Sequence, residues 1–235
     1  MSPESGKKTE SNPSSLRKET SLHRSLKFRY AGDEGETETQ VGAFVCDGRT
    51  AEGELIEVQC GSFGLLKEKL DVLTRKHKVR VIHPIIIKKY IELYDTEGCL
   101  LHRRKSPRKG SAWDVFHVLL YAPLLPLLKK LTIELAFVES VEIRTADNKG
   151  SWRRKGASIT DRRLSAWFHS VVLAKPKDYY QFIPFKKNEQ FTTRHLAEKA
   201  GINMPLARRT LYVLTKLKLA ERKGKKGNTV LYTRV

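Results

Sequence analysis

Apolar residues at helical spacing mark the first element of the chain. Leu22, Leu26 and Tyr30 recur every four residues, which predicts a short helix with Ser21 as its candidate N-cap and Gly32 as its end. The residues before this helix, 1 to about 20, are rich in Ser, Lys, Glu and Pro. Because such a composition buries too little apolar surface to order a chain, we expect a disordered tail there.

The stretch Val41–Gln59 alternates between apolar and polar residues in two short blocks. We expect a first strand near Glu38–Val41. The pattern of Val41–Gln59 then predicts two strands joined by a hairpin connection. Asp47 ends the first block, and Glu57 and Gln59 lie on the second. Side chains alternate along a strand, so Glu57 and Gln59 share one face. Asp47 and Glu57 therefore end adjoining strands, which is a position suited to a divalent cation.

The pattern changes several times before the C-terminal part of the chain. Ser62 is a candidate cap for a helix whose apolar positions are Phe63, Leu66, Leu70 and Leu73. The remaining expectations are a strand at Val79–Ile87 that leaves the sheet at Pro84, a strand at Tyr90–Tyr94, a basic loop at Arg103–Gly110, a buried helix from Ser111 through Leu128, a strand at Leu131–Thr145, a basic loop around Trp152, and a helix or turn at Thr160–Val172.

The last segment, Phe191–Val235, reads as two amphipathic helices followed by a hairpin. Thr192 or Thr193 caps the first helix, Gly201 forms a tight turn, and Pro205 opens the second helix. The buried stripe of the second helix is Ala207, Leu211, Leu214 and Leu217. This order resembles a winged helix-turn-helix, in which the second helix meets the major groove of DNA.

The winged-helix resemblance implies two places of DNA contact. The side chains expected on the outside of the second helix are Arg208, Arg209, Tyr212, Thr215 and Lys216. Lys225 and Lys226 lie at the tip of the hairpin and would contact phosphates as a basic wing. The alternative is a winged helix that contacts another protein.

The charge distribution favours a polyanionic partner. The chain carries a formal net charge of +19, yet residues 31–60 hold eight acids and one basic residue, Arg49. Residues 186–235 hold thirteen Lys and Arg residues against three Glu. A basic body around one acidic segment fits a binder of nucleic acid with a metal pocket, and the alternative is an ordinary solvated basic surface.

Other compositional signals exclude several classes. The three cysteines form no CxxC pair and the seven histidines show no ligand spacing, which argues against disulfides and zinc. No apolar run is long enough to span a bilayer, and the N-terminus lacks the apolar stretch of a signal peptide. We therefore expect a cytoplasmic protein without a membrane partner.

The chain contains, in order, a helix, hairpin strands with Asp47 followed by Glu57-x-Gln59, a second helix and a further strand. Over about residues 20–95, this order resembles the core of the PD-(D/E)XK nuclease superfamily. Two departures from that pattern are Cys46 in place of Pro and Gln59 in place of Lys. The resemblance implies an α/β (α+β) fold with a mixed-sheet, restriction-endonuclease-like core at 21–183, before the winged helix at 184–235. The whole order is also similar to an uncharacterised bacterial family with the same two parts, which brings no known activity.

The nuclease resemblance also implies a site for Mg²⁺ or Mn²⁺, hard ions that prefer oxygen ligands. Its predicted ligands are the side chains of Asp47, Glu57 and Glu38 and the carbonyl of Val58, with Glu36 as the alternative to Glu38. The predicted catalytic residues are Asp47, Glu57, Gln59 and Lys67. Gln59 can orient water but brings no charge, so Lys67 on the following helix is the candidate replacement for the missing lysine.

Two functions from different classes follow from these residues. The first is a Mg²⁺- or Mn²⁺-dependent endonuclease that hydrolyses DNA, with the winged helix holding the duplex. The second is a non-catalytic DNA-binding or regulatory protein on a degenerate nuclease-like scaffold. In both, Arg153, Arg154 and Lys155 beside Trp152 form a further candidate nucleic-acid contact, or Trp152 packs on its own domain. RNA is a third possible partner, and the sequence does not determine the oligomeric state, a homodimer included.

Overall fold

A mixed sheet forms the centre of the larger, N-terminal part of the protein. The computed structural model describes residues 19–235, so most of the predicted tail lies outside the described residues. The strands are β1 (Glu36–Val41), β2 (Phe44–Arg49), β3 (Leu55–Val58), β4 (Val79–Tyr94), β5 (Leu100–Lys105), β6 (Leu131–Thr145) and β7 (Ser158–Leu173). They follow the order β1-β2-β3-β4-β6-β7, and β5 pairs with the second half of β4. The pairs β3–β4 and β4–β6 are parallel and the others antiparallel, which confirms the predicted mixed α+β class.

Helices cover both faces of this sheet. On one face, α1 (Ser21–Ala31) buries Leu22 and Leu26 against Ile56 and Ile82 of the central strands. On the other face lie α2 (Lys67–Lys76) and the short α3 (Val115–Leu119). Because both faces are covered, β6 is buried from residue 131 to residue 143 apart from one half-buried position.

A second unit at the C-terminus follows the predicted order of helices and hairpin. It contains β8 (Gln190–Phe191), α4 (Thr193–Ala200), α5 (Met204–Lys216), β9 (Ala220–Lys226) and β10 (Thr229–Arg234), with the strand order β8-β10-β9. Thr192 caps α4 by accepting a hydrogen bond from the backbone of His195 at 3.2 Å. Gly201 ends the helix in the left-handed region at φ 62°, and the predicted apolar stripe of α5 is buried.

Aromatic side chains of the segment between β7 and β8, which includes 3₁₀ turns at Pro176–Phe182, join the two units. Phe182 contacts Trp113 and Phe116, with ring centroids 5.1 and 4.9 Å apart. Phe185 stacks on Phe191 of β8 at 4.1 Å. One hydrophobic core therefore continues from the main sheet into the helices of the C-terminal unit. Among the helices described at residues 19–235, none is long and apolar enough to cross a membrane.

The prediction that the chain leaves the sheet at Pro84 is wrong, because β4 runs without interruption through this residue. The carbonyls of Ile82 and Ile86 accept hydrogen bonds from Gln59 and Gly110 along one edge of β4. Pro84 lies two residues from each of them, so its backbone nitrogen points to the same edge of β4, at a position beyond the end of β3. No neighbouring strand offers a hydrogen-bond acceptor there, so the missing N–H group of proline costs no hydrogen bond and proline is tolerated within the strand.

Three other predicted elements differ from the structure. The segment Thr160–Val172 belongs to strand β7, whose half-exposed faces give no clear apolar period, and antiparallel pairing with β6 fixes its conformation. The segment expected as one buried helix from Ser111 to Leu128 contains α3 and two 3₁₀ turns, and prolines interrupt it. The first residues of the predicted basic loop at Arg103–Gly110 belong to β5.

The start of α1 also differs from the prediction. Thr20, rather than Ser21, is the N-cap residue, and its hydroxyl accepts a hydrogen bond from the backbone of His23 at 3.4 Å. Ser21 instead donates from its backbone and its hydroxyl to Asp161 of β7, at 2.9 and 2.6 Å. The last two residues of the predicted tail, Glu19 and Thr20, therefore belong to the folded structure.

Candidate functional site

Pairing of β2 with β3 brings the predicted acidic residues together. Gly48 of β2 lies opposite Ile56 of β3, so Asp47 and Val58 meet where the two strands diverge. A carboxylate oxygen of Asp47 (Oδ2) accepts a hydrogen bond from the backbone N–H of Val58 at 2.7 Å. The acidic side chain is thereby fixed beside the end of β3. The prediction that the first strand ends on Asp47 is wrong, because pairing with β1 continues β2 to Arg49.

His23 of α1 fills the space beside these two residues. Its Nε2 lies 2.8 Å from the carbonyl oxygen of Val58 and 3.3 Å from Asp47 Oδ2, and its Nδ1 lies 2.7 Å from Glu19 Oε1. Burial by itself would lower the pKa of His23, but the ion pair with Asp47 and the bond to Glu19 raise it to about 9. Burial likewise favours the neutral form of Asp47, yet the contact with His23 holds the pKa of that carboxyl below its usual range.

Lys27, one helical turn further along α1, neutralises the remaining acids on this side. Its buried ammonium lies 3.1 Å from Glu38 Oε1, 3.2 Å from Glu19 Oε1 and 3.7 Å from Asp47 Oδ1. Glu38, a predicted metal ligand, therefore projects toward Asp47, although its side chain is 70% exposed. Lys27 lies between these carboxylates and satisfies them.

Glu57 is buried on β3 and is paired with Lys69 of α2. Lys69 Nζ lies 2.5 Å from Glu57 Oε2 and donates to the carbonyl of Val45 at 2.7 Å. Burial and the nearby charge of Asp47 nevertheless raise the pKa of Glu57, against the opposing effect of Lys69. Lys69, rather than the predicted Lys67, is therefore the lysine that contacts the acidic cluster. Side chains two positions apart on an α-helix point about 200° apart, so Lys67 lies on the far side of α2, where it is exposed.

Gln59 does not share a strand face with Glu57, because β3 ends at Val58. Its side-chain amide instead closes the following turn, donating to Ser62 O at 3.2 Å and accepting from Gly61 N at 3.4 Å. Its carbonyl accepts a hydrogen bond from His83 Nδ1 at 2.6 Å. The predicted role of Gln59 in orienting a water molecule therefore has no geometric support.

These residues, as arranged, do not fit a divalent metal. Asp47, Glu57 and the Val58 carbonyl, which were predicted as ligands, already accept from His23 or Lys69, and Glu38 pairs with Lys27. Within residues 19–235, no group of three or more His, Cys, Asp or Glu residues is positioned to hold a metal ion. The sequence pattern missed His23, Lys27 and Lys69, since a lone basic residue on a helix carries no motif.

The predicted nucleic-acid contacts on α5 divide into two groups. Arg208 is exposed, whereas Arg209 contacts Nδ1 of His117 on α3. Tyr212 and Lys216 line a groove of about 350 Å³ that is shared with α2 and with the loop around Tyr121. Of the five side chains expected on the outside of this helix, Arg208, Tyr212 and Lys216 are exposed, whereas Arg209 and Thr215 are half-buried.

Other predicted basic residues are accessible. Lys225 and Lys226 are exposed at the tip of the β9–β10 hairpin. In the β6–β7 turn Arg153 and Lys155 are exposed, and Arg154 is half-buried and donates to Ala157 O at 3.0 Å. Trp152 is 83% exposed, so it does not pack on its own domain.

One basic surface was not predicted as a site. We call it the basic edge: the exposed cationic residues Arg103, Arg104, Lys105, Arg108 and Lys109. It begins on β5 and continues along the edge of β4, where the backbone N–H groups of Ser106 and Gly110 donate to Lys89 and Ile86. Arg103 is partly neutralised by Glu92 at 3.5 Å, whereas Arg104 and Lys105 have no carboxylate partner among the described residues. The run of basic residues in the sequence indicated a positively charged surface. The prediction of a loop missed that the first part of this run is a β-strand.

A cavity of about 510 Å³ lies between the basic edge and the end of β3. Its charged lining consists of Lys89, Arg108 and Arg162 against Asp114 and Glu142. Lys89 and Arg162 are both held by Glu142, at 2.6 and 3.4 Å. Arg108 has no such partner in the part of the chain that the structure describes. Three cations against two carboxylates leave the lining with one net positive charge.

The fold and site define a mixed α+β protein with a large mixed sheet and an internally neutralised acidic cluster. A family described as a domain of unknown function (DUF8091) matches residues 20–174, from α1 to the end of β7. The chain belongs to this family.

A protein of Treponema pallidum (strain Nichols), described as an uncharacterised protein, is 30% identical over 218 residues. These residues cover 92% of this chain and 85% of the relative. The similarity therefore extends beyond the family domain into most of the C-terminal unit. No solved structure matches the chain.

Proposed function

We propose that the protein binds double-stranded DNA through its basic edge and its C-terminal unit, on a nuclease-like scaffold that is not catalytic. The observation that carries this proposal is the row of exposed cations on β5 and the segment that follows it. Duplex DNA presents a regular array of phosphates, and unpaired Lys and Arg side chains gain affinity by displacing its counterions.

The order of elements in the C-terminal unit supports a winged helix-turn-helix. Two helices joined at Gly201 precede a hairpin, and the short β8 pairs with β10 in a three-stranded sheet. The hairpin tip with Lys225 and Lys226 would be the wing. Because Arg209 contacts His117, and Tyr212 and Lys216 border a groove shared with the first unit, we propose that the wing and Arg208, rather than the whole face of α5, contact the phosphates.

Strand geometry supports a shared surface for the basic edge and the β6–β7 turn. The backbone N–H of Ala146, which begins this turn, donates to the carbonyl of Tyr94 at the end of β4. β5 pairs with β4 at the same end of the sheet. Arg153 and Lys155 therefore lie at the end of the sheet where β5 begins, and both sets of cations can contact one stretch of duplex.

The salt dependence of DNA binding tests this proposal. Affinity for a fluorescently labelled duplex is measured by anisotropy over a range of salt concentrations. Arg104→Ala/Lys105→Ala removes two candidate phosphate contacts, so the slope of log K against log salt should fall by about 2. Lys225→Ala/Lys226→Ala should do the same, and Arg208→Ala should weaken binding more than Arg209→Ala.

The matched control is Lys76→Ala/Lys78→Ala. These exposed lysines lie at the opposite end of β4, so the same charge is removed away from the proposed surface. This control should leave affinity and salt slope unchanged. Equal losses in the control and the β5 variant would show an unspecific charge effect, and no duplex binding by the full chain at low salt would overturn the proposal.

A metal-dependent endonuclease is the second candidate, and one observation favours it. The pairing of Gly48 with Ile56 places Asp47 and Glu57 next to each other on adjoining strands, and the charge of Asp47 contributes to the raised pKa of Glu57. Nicking of supercoiled plasmid in the presence of Mg²⁺ or Mn²⁺ tests it, with Glu57→Ala as the inactive control. Intact plasmid with both ions would exclude this candidate and leave the binding function.

A further inference from the structure

We infer that His23 and Lys69 act as internal cations in the position that a divalent metal would take between Asp47, the Val58 carbonyl and Glu57. This inference rests on the proposed function, because it explains why a nuclease-like scaffold would be non-catalytic. It concerns residues of this chain that the sequence pattern did not reveal.

The hydrogen bonds of His23 require a doubly protonated ring. A backbone carbonyl can only accept, and Nε2 lies 2.8 Å from the carbonyl oxygen of Val58. Nδ1 lies 2.7 Å from the carboxylate of Glu19, which is also an acceptor. Both ring nitrogens therefore donate, and the ring carries a positive charge beside Asp47.

Lys69 supplies the second positive charge. Its ammonium contacts Glu57 Oε2 at 2.5 Å and Val45 O at 2.7 Å. Lys27 is shared with Glu19 and Glu38 and lies further from Asp47, at 3.7 Å. The imidazolium and the ammonium therefore bring two positive charges to the two carboxylates of Asp47 and Glu57. A divalent ion would bring the same charge to the same oxygens, so the internal cations and the metal exclude each other.

The two cations come from opposite faces of the sheet. His23 lies on α1, which packs in the smaller apolar cluster with Ile56, whereas α2 packs in the larger cluster with Leu55. Each helix is thereby tied to the ends of β2 and β3 by a charged contact. The ion pairs replace a metal as the bridge between helices and strands.

Manganese binding by the full chain tests this inference. Free Mn²⁺ is followed by electron paramagnetic resonance in the wild type and in His23→Ala/Lys69→Ala. The double variant should bind one Mn²⁺ ion per chain, and any binding by the wild type should be at least about tenfold weaker, because two competing charges have been removed from the oxygen ligands in the variant. Adding Asp47→Asn to the double variant should abolish the gain.

His195→Ala/Lys67→Ala is the matched control, since it removes the same residue types from exposed positions on two helices. The pair His23→Gln/Lys69→Met, closer in size to the native side chains, is measured in parallel so that a folding defect in one variant leaves the other. Circular dichroism checks the fold of each variant.

Two results would overturn the inference. One is equal Mn²⁺ binding by the wild type and the double variant, and the other is a folded double variant that binds none. Neither result bears on duplex binding by the basic edge, which the anisotropy measurement reports separately. Failure of the internal-cation inference and failure of the DNA proposal are therefore distinguishable.

Discussion

Replacement of Lys69 by methionine isolates the contribution of the buried pair with Glu57. Methionine keeps most of the length of the lysine stem but removes the ammonium group that contacts Glu57 and Val45 O. The side chains of Lys69 and Glu57 are only 15% and 11% exposed, so water screens the remaining carboxylate poorly. Asp47 stays nearby as a second negative charge.

The structure sets the size of the expected loss. Removing one partner of a buried ion pair costs about 3–5 kcal/mol when the other charge stays ionised. Protonation of Glu57 limits this cost, because burial and Asp47 already raise its pKa and the loss of Lys69 raises it further. We therefore expect Lys69→Met to lower the free energy of unfolding by about 2–3 kcal/mol at neutral pH.

The sign of the pH dependence follows from the raised pKa. A carboxyl whose folded pKa exceeds its unfolded value stabilises the fold below the unfolded pKa, and this stability is lost as pH rises through the folded pKa. The deficit of Lys69→Met should therefore grow from mildly acidic to neutral pH. Urea unfolding followed by circular dichroism at both pH values measures it.

A double-mutant cycle completes the test. Adding Glu57→Gln removes the unpaired charge, so Lys69→Met/Glu57→Gln should recover stability to within about 1 kcal/mol of the wild type. Lys67→Met, two residues away and exposed, should stay within about 0.5 kcal/mol. A loss for Lys69→Met below about 0.5 kcal/mol, the value of an exposed pair, would refute the reasoning.

Two further predictions concern the anchoring of α1 and the shared core. Burial by itself would raise the pKa of Asp161, but the hydrogen bonds that it accepts from Ser21 lower it. Asp161→Asn should therefore lower the free energy of unfolding by about 1–2 kcal/mol at pH 7. This loss of stability should shrink as pH falls below about 4, where the carboxyl of the wild type becomes protonated. An equal cost measured by urea unfolding at pH 3 would contradict this. Phe182 is 2% exposed between Trp113 and Phe116, so Phe182→Ala should lower the free energy of unfolding by about 3–5 kcal/mol. Both units should unfold in a single calorimetric transition, and a C-terminal unit that unfolds separately would contradict this prediction.

Local spacing along the chain determined much of the secondary structure. The recurrence of Leu22 and Leu26 is sufficient to specify α1, because one apolar stripe must be buried. The alternation around Asp47 and Glu57 likewise determined two adjoining strands, although β2 continues past Asp47 to Arg49. The caps and apolar stripe of the C-terminal helices are equally local, so α4 and α5 were predictable.

Only the tertiary structure decided which charges meet. His23 lies 35 residues before Val58, and Lys69 lies 12 residues after Glu57, so no motif connects the members of the acidic cluster. Arg209 contacts a histidine 92 residues away, which turns part of α5 toward the first unit.

Strand pairing decided the form of β7 and the course of β4 through Pro84. Pairing with β6 fixes β7 along its whole length although neither of its faces is fully apolar. Pro84 is accommodated because β3 ends before it. The sequence by itself determined where acids and cations lie along each element, since that depends on neighbours a few residues apart. The tertiary structure decided that the cations of this chain neutralise its own acids, because the energy of a buried charge depends on the groups that packing places around it.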